Sequence, residues 1–101
     1  MNVAGIRALA ISLALTFAAT VRAEPIDMNV TSCKTLLQLG AKDPGGMGNL
    51  VHWLYGWKVG QAGKTVLDSG GFEDLTKQLV KICGANPSLG LIAAAKQTTV
   101  N

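Results

Sequence analysis

The stretch MGNLVHWLYGWKVGQ, residues 47–61, carries apolar side chains at helical spacing, at Met47, Leu50, Val51, Leu54 and Trp57. Three of the five aromatic residues of the chain lie within residues 53–57. Trp53 and Trp57 are four residues apart, so they share one face of the predicted helix. Either this is a tightly packed helix inside a small bundle, or part of its surface serves a partner, which is a second copy or an unfolded chain.

The residues before this stretch predict one short helix and a loop. Thr31 or Ser32 can cap a first helix, and Gly40 is a typical helix stop. The helix between them is apolar at Leu36, Leu37 and Leu39. Residues 41–46, Ala-Lys-Asp-Pro-Gly-Gly, are rich in turn formers and predict a loop that leads into the second helix.

Two more helices are predicted after residue 61. Lys64–Asp68 is a short extended connector, and a third helix begins within residues 69–71 and ends at Gly84. Asn86-Pro87 predicts the cap and first turn of a last helix, which frays over residues 98–101. No stretch alternates long enough to form a strand. The predicted fold is therefore all-α, a small bundle of four short helices.

Residues 1–23 have the pattern of a cleaved secretory signal peptide. Arg7 provides the positive start, residues 8–19 are mostly apolar, and Ala23 is a small residue suited to a cleavage site. The apolar run is about a dozen residues long, whereas a membrane span needs roughly 20. The sequence therefore predicts export without a membrane anchor, and a single mature domain over residues 24–101.

The charge of the mature domain argues against nucleic acid as a partner. The whole chain has a formal net charge of +3, but both arginines lie within residues 1–23. Residues 24–101 then hold seven lysines, six carboxylates and no arginine, the residue best suited to bidentate contacts with phosphate and guanine. No basic cluster remains, so a nucleic-acid partner is not expected.

Cys33 and Cys83 are the two cysteines of the chain. In an exported protein they favour a disulfide, which would join the first predicted helix to the third and stabilise the fold by roughly 4 kcal/mol. Free thiols or an intermolecular bridge are the alternatives. With His52 as its single histidine, the chain lacks the ligands of a Cys₄ or Cys₂His₂ zinc module, so no metal site is predicted.

No constellation for catalysis is visible, so the sequence predicts a non-enzymatic protein without a cofactor. His52 has no serine or aspartate at local helical spacing, and a packing or surface role is the simpler interpretation. Residues 60–65, Gly-Gln-Ala-Gly-Lys-Thr, resemble a phosphate-binding loop, but Lys58 stands where that motif needs glycine. Glu73 and Asp74 lie near the start of the third helix, where carboxylates stabilise the helix dipole.

Three short motifs follow one another along the chain: Cys33 followed by Leu36-Leu37, the aromatic run Trp53–Trp57, and the segment Cys83-Gly84-Ala85-Asn86-Pro87. In this order they resemble the HdeA/HdeB family of periplasmic acid-stress chaperones, over almost all of residues 26–97. The resemblance implies a small helical fold with one disulfide, dimeric near neutral pH. In strong acid such proteins loosen, expose apolar surface and hold acid-denatured proteins in solution without ATP.

The resemblance also implies which residues contact partners. Those that match the dimer and client region of the family are Leu50, Val51, Trp53, Leu54 and Trp57. Our candidates for sensing pH are the carboxylates of Asp43, Asp68, Glu73 and Asp74. Around pH 2 all carboxylates are protonated, and seven lysines, His52 and the amino terminus then give about +9, which opposes compact and dimeric states.

A second hypothesis remains open for the same residues. The chain ends AAAKQTTVN, residues 93–101, with a single charged side chain, where well-known members of the family carry lysine-rich ends. A helical binding module that stays folded in acid and recognises a small apolar ligand or a specific exported partner also fits this sequence. It predicts dye or lipid binding at neutral pH, whereas the chaperone predicts exposed apolar surface below about pH 3.

Overall fold

Four helices make up the part of the chain that the structure describes. The computed structural model describes residues 25–100, so the predicted signal peptide, residues 1–23, lies outside the described residues. The helices are α1 (Cys33–Lys42), α2 (Pro44–Gln61), α3 (Ser69–Ala85) and α4 (Leu91–Lys96). Between residues 25 and 100 the only β pairing is an isolated bridge of Ser32 with Gly90. The predicted all-α bundle of four helices is confirmed.

A disulfide between Cys33 and Cys83 ties the first turn of α1 to the last turn of α3. The two Cα atoms lie 4.8 Å apart, and both residues are fully buried. The predicted pairing is therefore confirmed. Because the bonded residues are 50 positions apart, the loop that they close contains the whole of α2, and the bridge holds α1 against α3 around it.

The centre of the hydrophobic core is α2. Its inward side chains are almost completely buried, and they belong to Leu50, Val51, Leu54, Tyr55 and Val59. They pack in one cluster with buried leucines from the other three helices, Leu36, Leu75, Leu79 and Leu91. Burying a side chain of this size stabilises a fold by roughly 1.5–3 kcal/mol. A domain this small therefore depends on nearly every one of these contacts.

A single residue, Asp43, separates α1 from α2. Its backbone N–H donates to the last turn of α1 over 2.7 Å, and its side chain accepts from the N–H of Gly46 over 3.1 Å. The prediction that α1 stops at Gly40 and that residues 41–46 form a loop is therefore wrong. The break falls at Asp43 because Pro44 disfavours a helical conformation in the residue before it, while proline itself suits the first position of α2.

The segment between α3 and α4 pairs with the start of α1. The backbone N–H groups of Cys33 and Lys34 donate to the carbonyl oxygens of Leu89 (2.8 Å) and Pro87 (2.9 Å). The first N–H groups of a helix have no partner within the helix, and this segment supplies one for two of them. The predicted start of the last helix in this segment is wrong, because α4 begins only at Leu91.

The last described residues lie against the bundle. Thr98 is buried, and Val100 packs on the hydrophobic core. The ammonium group of Lys58 in α2 donates to the carbonyl oxygen of Thr98 over 2.8 Å. For residues 98–100 the prediction of a frayed end is therefore wrong.

Candidate functional site

A pair of tryptophans marks the exposed side of α2. The rings of Trp53 and Trp57 are stacked, with centroids 6.1 Å apart and planes inclined at 19°. Trp53 is 49% exposed, and Trp57 is partly buried against the core. Residues four apart on a helix lie one above the other. The pair predicted to share a face therefore forms a continuous aromatic surface.

The two tryptophans line an open groove of about 520 Å³. The N-terminal segment of residues 25–29 and Ile92 of α4 line it as well. Ile26, in that segment, is 64% exposed. Concave sites of this size with a mainly apolar lining and a few polar groups are typical of ligand or partner binding.

The N-terminal wall of this groove is not among the predicted site residues. A turn holds the segment: the Asp27 carboxylate accepts from the N–H of Asn29 (2.9 Å), and its carbonyl oxygen accepts from the N–H of Val30 (3.1 Å). Residues 28–30 form the turn, in which Met28 packs against the hydrophobic core and Val30 is 80% exposed. The wall forms through tertiary contact of residues 25–29 with α2 and α4, so no local pattern in the sequence identifies it.

The five predicted contact residues do not share one surface. Leu50, Val51 and Leu54 are buried in the core, whereas Trp53 and Trp57 lie on the groove. In this conformation only the tryptophans can contact a partner. The three aliphatic residues become accessible only when α2 separates from the rest of the bundle, so a role for them in binding requires the fold to open.

Two of the four pH-sensing candidates cap the N-termini of the long helices. Asp43 accepts from the N–H of Gly46 at the start of α2 (3.1 Å), and Asp68 accepts from the N–H of Gly71 at the start of α3 (2.6 Å). Both caps have the sequence pattern Asp-x-Gly-Gly. A Cβ on Gly46 would lie 2.6 Å from the carboxylate of Asp43, so glycine at this position allows the carboxylate to approach the helix end.

The other two candidates lie apart from these caps. Glu73 and Asp74 are exposed in the second turn of α3, and Asp74 accepts a hydrogen bond of 2.8 Å from the side-chain amide of Gln78. The donors to Asp43, Asp68 and Asp74 are uncharged N–H groups. Such bonds are stronger to an ionised carboxylate than to a neutral carboxyl group.

His52 stacks on Phe72 of α3, with ring centroids 4.0 Å apart and planes inclined at 17°. Its Nδ1 lies 2.9 Å from the carbonyl oxygen of Gly48, one turn earlier in α2. Both contacts agree with the interpretation of this histidine as a packing residue. Within residues 25–100 the structure has no cluster of three or more His, Cys, Asp or Glu residues that could hold a metal ion.

Fold and site together define a small, disulfide-linked helical protein with an exposed aromatic groove. The chain belongs to the HdeA/HdeB family, whose model matches residues 3–93. Comparisons with curated proteins and with solved structures give no match. The family is one of periplasmic acid-stress chaperones and not of enzymes. None of the helices in residues 25–100 combines the length and the hydropathy that crossing a membrane requires.

Proposed function

We propose that this protein is an acid-activated, ATP-independent holdase of the periplasm, which binds acid-denatured proteins and prevents their aggregation. The observation that carries the proposal is the arrangement of α2, which exposes Trp53 and keeps Leu50, Val51 and Leu54 buried behind it. When the bundle loosens, an existing aromatic surface is enlarged by aliphatic residues of the same helix. Family membership and a structural disulfide, which is common in exported proteins, support the same function.

Acid gives this fold a large positive charge. Seven lysines, His52 and the amino terminus carry about +9 once the carboxylates of residues 24–101 are protonated, and like charges destabilise a compact state. Asp43 and Asp68 cap the starts of α2 and α3. The first turn of each helix contains two glycines, which have low helix propensity, so these turns depend on their caps.

The disulfide limits how far the chain opens in acid. Cys33 and Cys83 keep the start of α1 beside the end of α3 even when the packing between helices is lost. The result is a compact, positively charged chain with an exposed apolar helix. The apolar surface binds unfolded segments of client proteins, and the positive charge keeps the complex in solution.

The proposal includes a homodimer at neutral pH that covers the tryptophan groove. Trp53 and Ile26 are exposed apolar residues at this groove, and aromatic residues are enriched in protein interfaces. Dissociation in acid then frees the same surface for clients. Sedimentation equilibrium at pH 7 tests this step: we expect a dimer for the wild type and a monomer for Trp53→Glu, and a monomeric wild type would refute it.

The groove itself favours a second candidate function, a binding module that stays folded. Its volume of about 520 Å³ is in the range of sites that hold small molecules. Such a module would recognise a small apolar ligand or a specific exported partner through the tryptophan pair. It would bind an apolar dye or a lipid at pH 7 and change little in acid.

Light scattering of an acid-labile dehydrogenase brought to pH 2 separates these two functions. We expect oxidised protein of residues 24–101 to suppress aggregation at a near-stoichiometric ratio, and an equal mass of lysozyme to have no effect. At pH 7 the protein should not bind the same dehydrogenase. If aggregation in acid is not suppressed, while the protein binds an apolar dye at pH 7 and keeps its helical circular dichroism at pH 2, the folded binding module is the better explanation.

A further inference from the structure

Residues 98–100, which we call the strap, lie across α2 and α3 like a bound peptide. Thr98 is 3% exposed, and its carbonyl oxygen accepts a hydrogen bond from the Lys58 ammonium over 2.8 Å. Val100 packs on the hydrophobic core. The strap therefore occupies a surface of the two long helices. We call this surface, which includes Lys58 of α2 and Gln78 of α3, the seat.

Gln78 of α3 holds the strap by its backbone at two points. The Oε1 atom of Gln78 accepts from the N–H of Thr99, and the Nε2 atom donates to the carbonyl oxygen of Thr99, both over 2.9 Å. The Asp74 carboxylate accepts from the same Nε2 over 2.8 Å, which orients the amide. An amide that bonds both the N–H and the C=O of one residue recognises groups that every residue except proline presents.

The strap contacts Lys58 and Gln78 through its backbone, and the hydroxyl group of Thr98 donates to the carbonyl oxygen of Ala95 in α4 over 2.6 Å. None of the hydrogen bonds described between the strap and Lys58 or Gln78 uses a strap side chain. Thr98 and Val100 contribute buried or partly buried side chains on either side of the clamped residue. Sites that combine main-chain hydrogen bonds with pockets for alternate side chains are a general means of binding extended peptides.

The seat adjoins an open groove of about 470 Å³. Gln78, which clamps the strap, also lines this groove, together with Gln97, the residue just before the strap. Further lining residues are the apolar Ile82 and Leu89. A polypeptide longer than the strap would therefore contact the groove as well as the seat. The groove shares no lining residue with the tryptophan groove of α2.

We infer that this seat is a binding site for extended segments of unfolded polypeptide, and that the chain's own strap occupies it in the folded protein. A client segment displaces the strap, takes over the backbone hydrogen bonds of Gln78 and Lys58, and continues into the adjoining groove. The inference rests on the proposed function, because it gives the holdase a second client surface. It differs from that proposal in placing the surface at the end of the chain.

The strap competes with clients because it is tethered beside the seat. A segment on a short linker has an effective concentration in the millimolar range. A free polypeptide at micromolar concentration therefore displaces it poorly. Removal of the strap should open the seat at neutral pH, where acid plays no part.

The test measures binding of reduced, carbamidomethylated α-lactalbumin, a permanently unfolded protein, by fluorescence anisotropy at pH 7. We expect oxidised protein that ends at Gln97 to bind it at least about tenfold more tightly than the full mature chain. Adding Gln78→Ala to the shortened protein should cancel most of that gain, since it removes two backbone hydrogen bonds. Gln38→Ala, the same change at an exposed position of α1, should leave the gain intact.

A second variant keeps the test valid if the shortened protein fails to fold. Thr99→Pro retains the strap but removes the N–H that Gln78 accepts. It should raise the affinity for the unfolded probe in the same direction as the truncation. The far-ultraviolet circular dichroism spectrum of each variant is compared with that of the full mature chain. A variant that keeps its helices is the one whose affinity is interpreted.

Equal affinities of the folded variant and the full chain overturn the inference. A gain in affinity that survives Gln78→Ala also overturns it, because the binding would then bypass the seat. Neither result bears on the holdase proposal, which light scattering with the full chain in acid decides. Conversely, a full chain that fails in acid refutes the holdase, while a Gln78-dependent gain at pH 7 still supports the seat.

Discussion

The phenolic oxygen of Tyr55, in α2, accepts a hydrogen bond of 3.2 Å from the backbone N–H of Asp68, the residue that caps α3. Tyr55 is almost completely buried, and a Cβ on Gly71 would collide with its hydroxyl group. The carboxylate of Asp68 in turn accepts from the N–H of Gly71. A buried tyrosine thus connects the aromatic helix to the first turn of α3, where one of the pH-sensing candidates lies.

Tyr55→Phe removes the acceptor for the Asp68 N–H and keeps the buried ring. We expect a loss of about 1 kcal/mol in the free energy of unfolding at pH 7, because a partly buried N–H is left without its partner. Urea denaturation followed by circular dichroism measures this loss. Gly71→Ala, which forces a methyl group against the tyrosine, should destabilise the protein further. Wild-type stability in both variants would show that this contact does not couple the helices.

Asp43→Asn and Asp68→Asn keep a capping oxygen but remove the group that titrates. A side chain that caps a helix but cannot gain a proton tests whether these carboxylates control the acid transition. At pH 7 each variant should be within about 0.5 kcal/mol of the wild type, since Asn and Asp cap helices equally well. Control of the transition by these caps requires that each variant retain helix to a lower pH than the wild type, and the double variant to a lower pH still.

Matched controls for the caps are Glu73→Gln and Asp74→Asn, which remove the same charge from α3 without changing an N-cap. Circular dichroism between pH 7 and pH 2 gives the transition midpoint of all four single variants. The caps control the transition if only their replacement moves this midpoint. If the controls move it equally, or if no single replacement does, the summed charge of the chain sets the transition.

The two long helices and the bridge could be predicted from the sequence because their signals are local or unique. Apolar residues follow the helical period along residues 47–61 and 69–83, and two cysteines allow one intramolecular pairing. The end of α1 could not be predicted in this way. Gly40 resembles a helix stop, but a Cβ there would lie 2.9 Å from the sulfur of Met47 in α2. Gly40 lies inside α1 against the Met47 side chain of α2, and a local pattern carries no information about that contact.

In the candidate surfaces, too, features that depend on local spacing could be predicted from the sequence, and features that depend on tertiary contacts could not. The pairing of Trp53 with Trp57 follows from their spacing on one helix and was predictable. Ile92 joins their groove only because α4 folds back against α2. The clamp of Gln78 on Thr99 joins residues 21 positions apart, and it forms only after the end of the chain has returned to α3. Contacts of this kind depend on the tertiary structure.

Substitutions at two neighbouring residues of α2 should show that client binding and the free energy of unfolding depend on different side chains. Trp53→Ala removes a half-exposed ring and should change the free energy of unfolding by less than about 1 kcal/mol. It should nevertheless raise the protein concentration needed to suppress client aggregation at pH 2 by roughly tenfold, because aromatic residues dominate binding surfaces. Light scattering and thermal unfolding measure the two effects.

Leu54→Ala is the comparison for the tryptophan variant, since Leu54 is fully buried beside it. It should destabilise the fold at pH 7 by about 2–5 kcal/mol by leaving a cavity in the core. If Trp53→Ala suppresses aggregation as well as the wild type does, the tryptophan pair is not part of the client surface.

Loss of the Cys33–Cys83 bridge should destabilise the protein severely. The bonded residues are 50 positions apart, and closing a loop of that length stabilises a fold by about 4 kcal/mol in the chain-entropy model. That is a large share of the stability of a small domain. Thermal unfolding of the oxidised protein and of Cys33→Ala/Cys83→Ala at pH 7 measures the difference. Melting temperatures within a few degrees of each other would show that packing alone maintains the fold.

The central claim is that acid converts this protein itself, and not only its clients, into a binding state. The most direct measurement is the affinity of the oxidised wild-type protein for carbamidomethylated α-lactalbumin, which has no native fold at either pH. We predict binding at least about tenfold tighter at pH 2 than at pH 7, because the proposed holdase exposes α2 only in acid. Equal affinities at the two pH values, or no binding at pH 2, would contradict the claim.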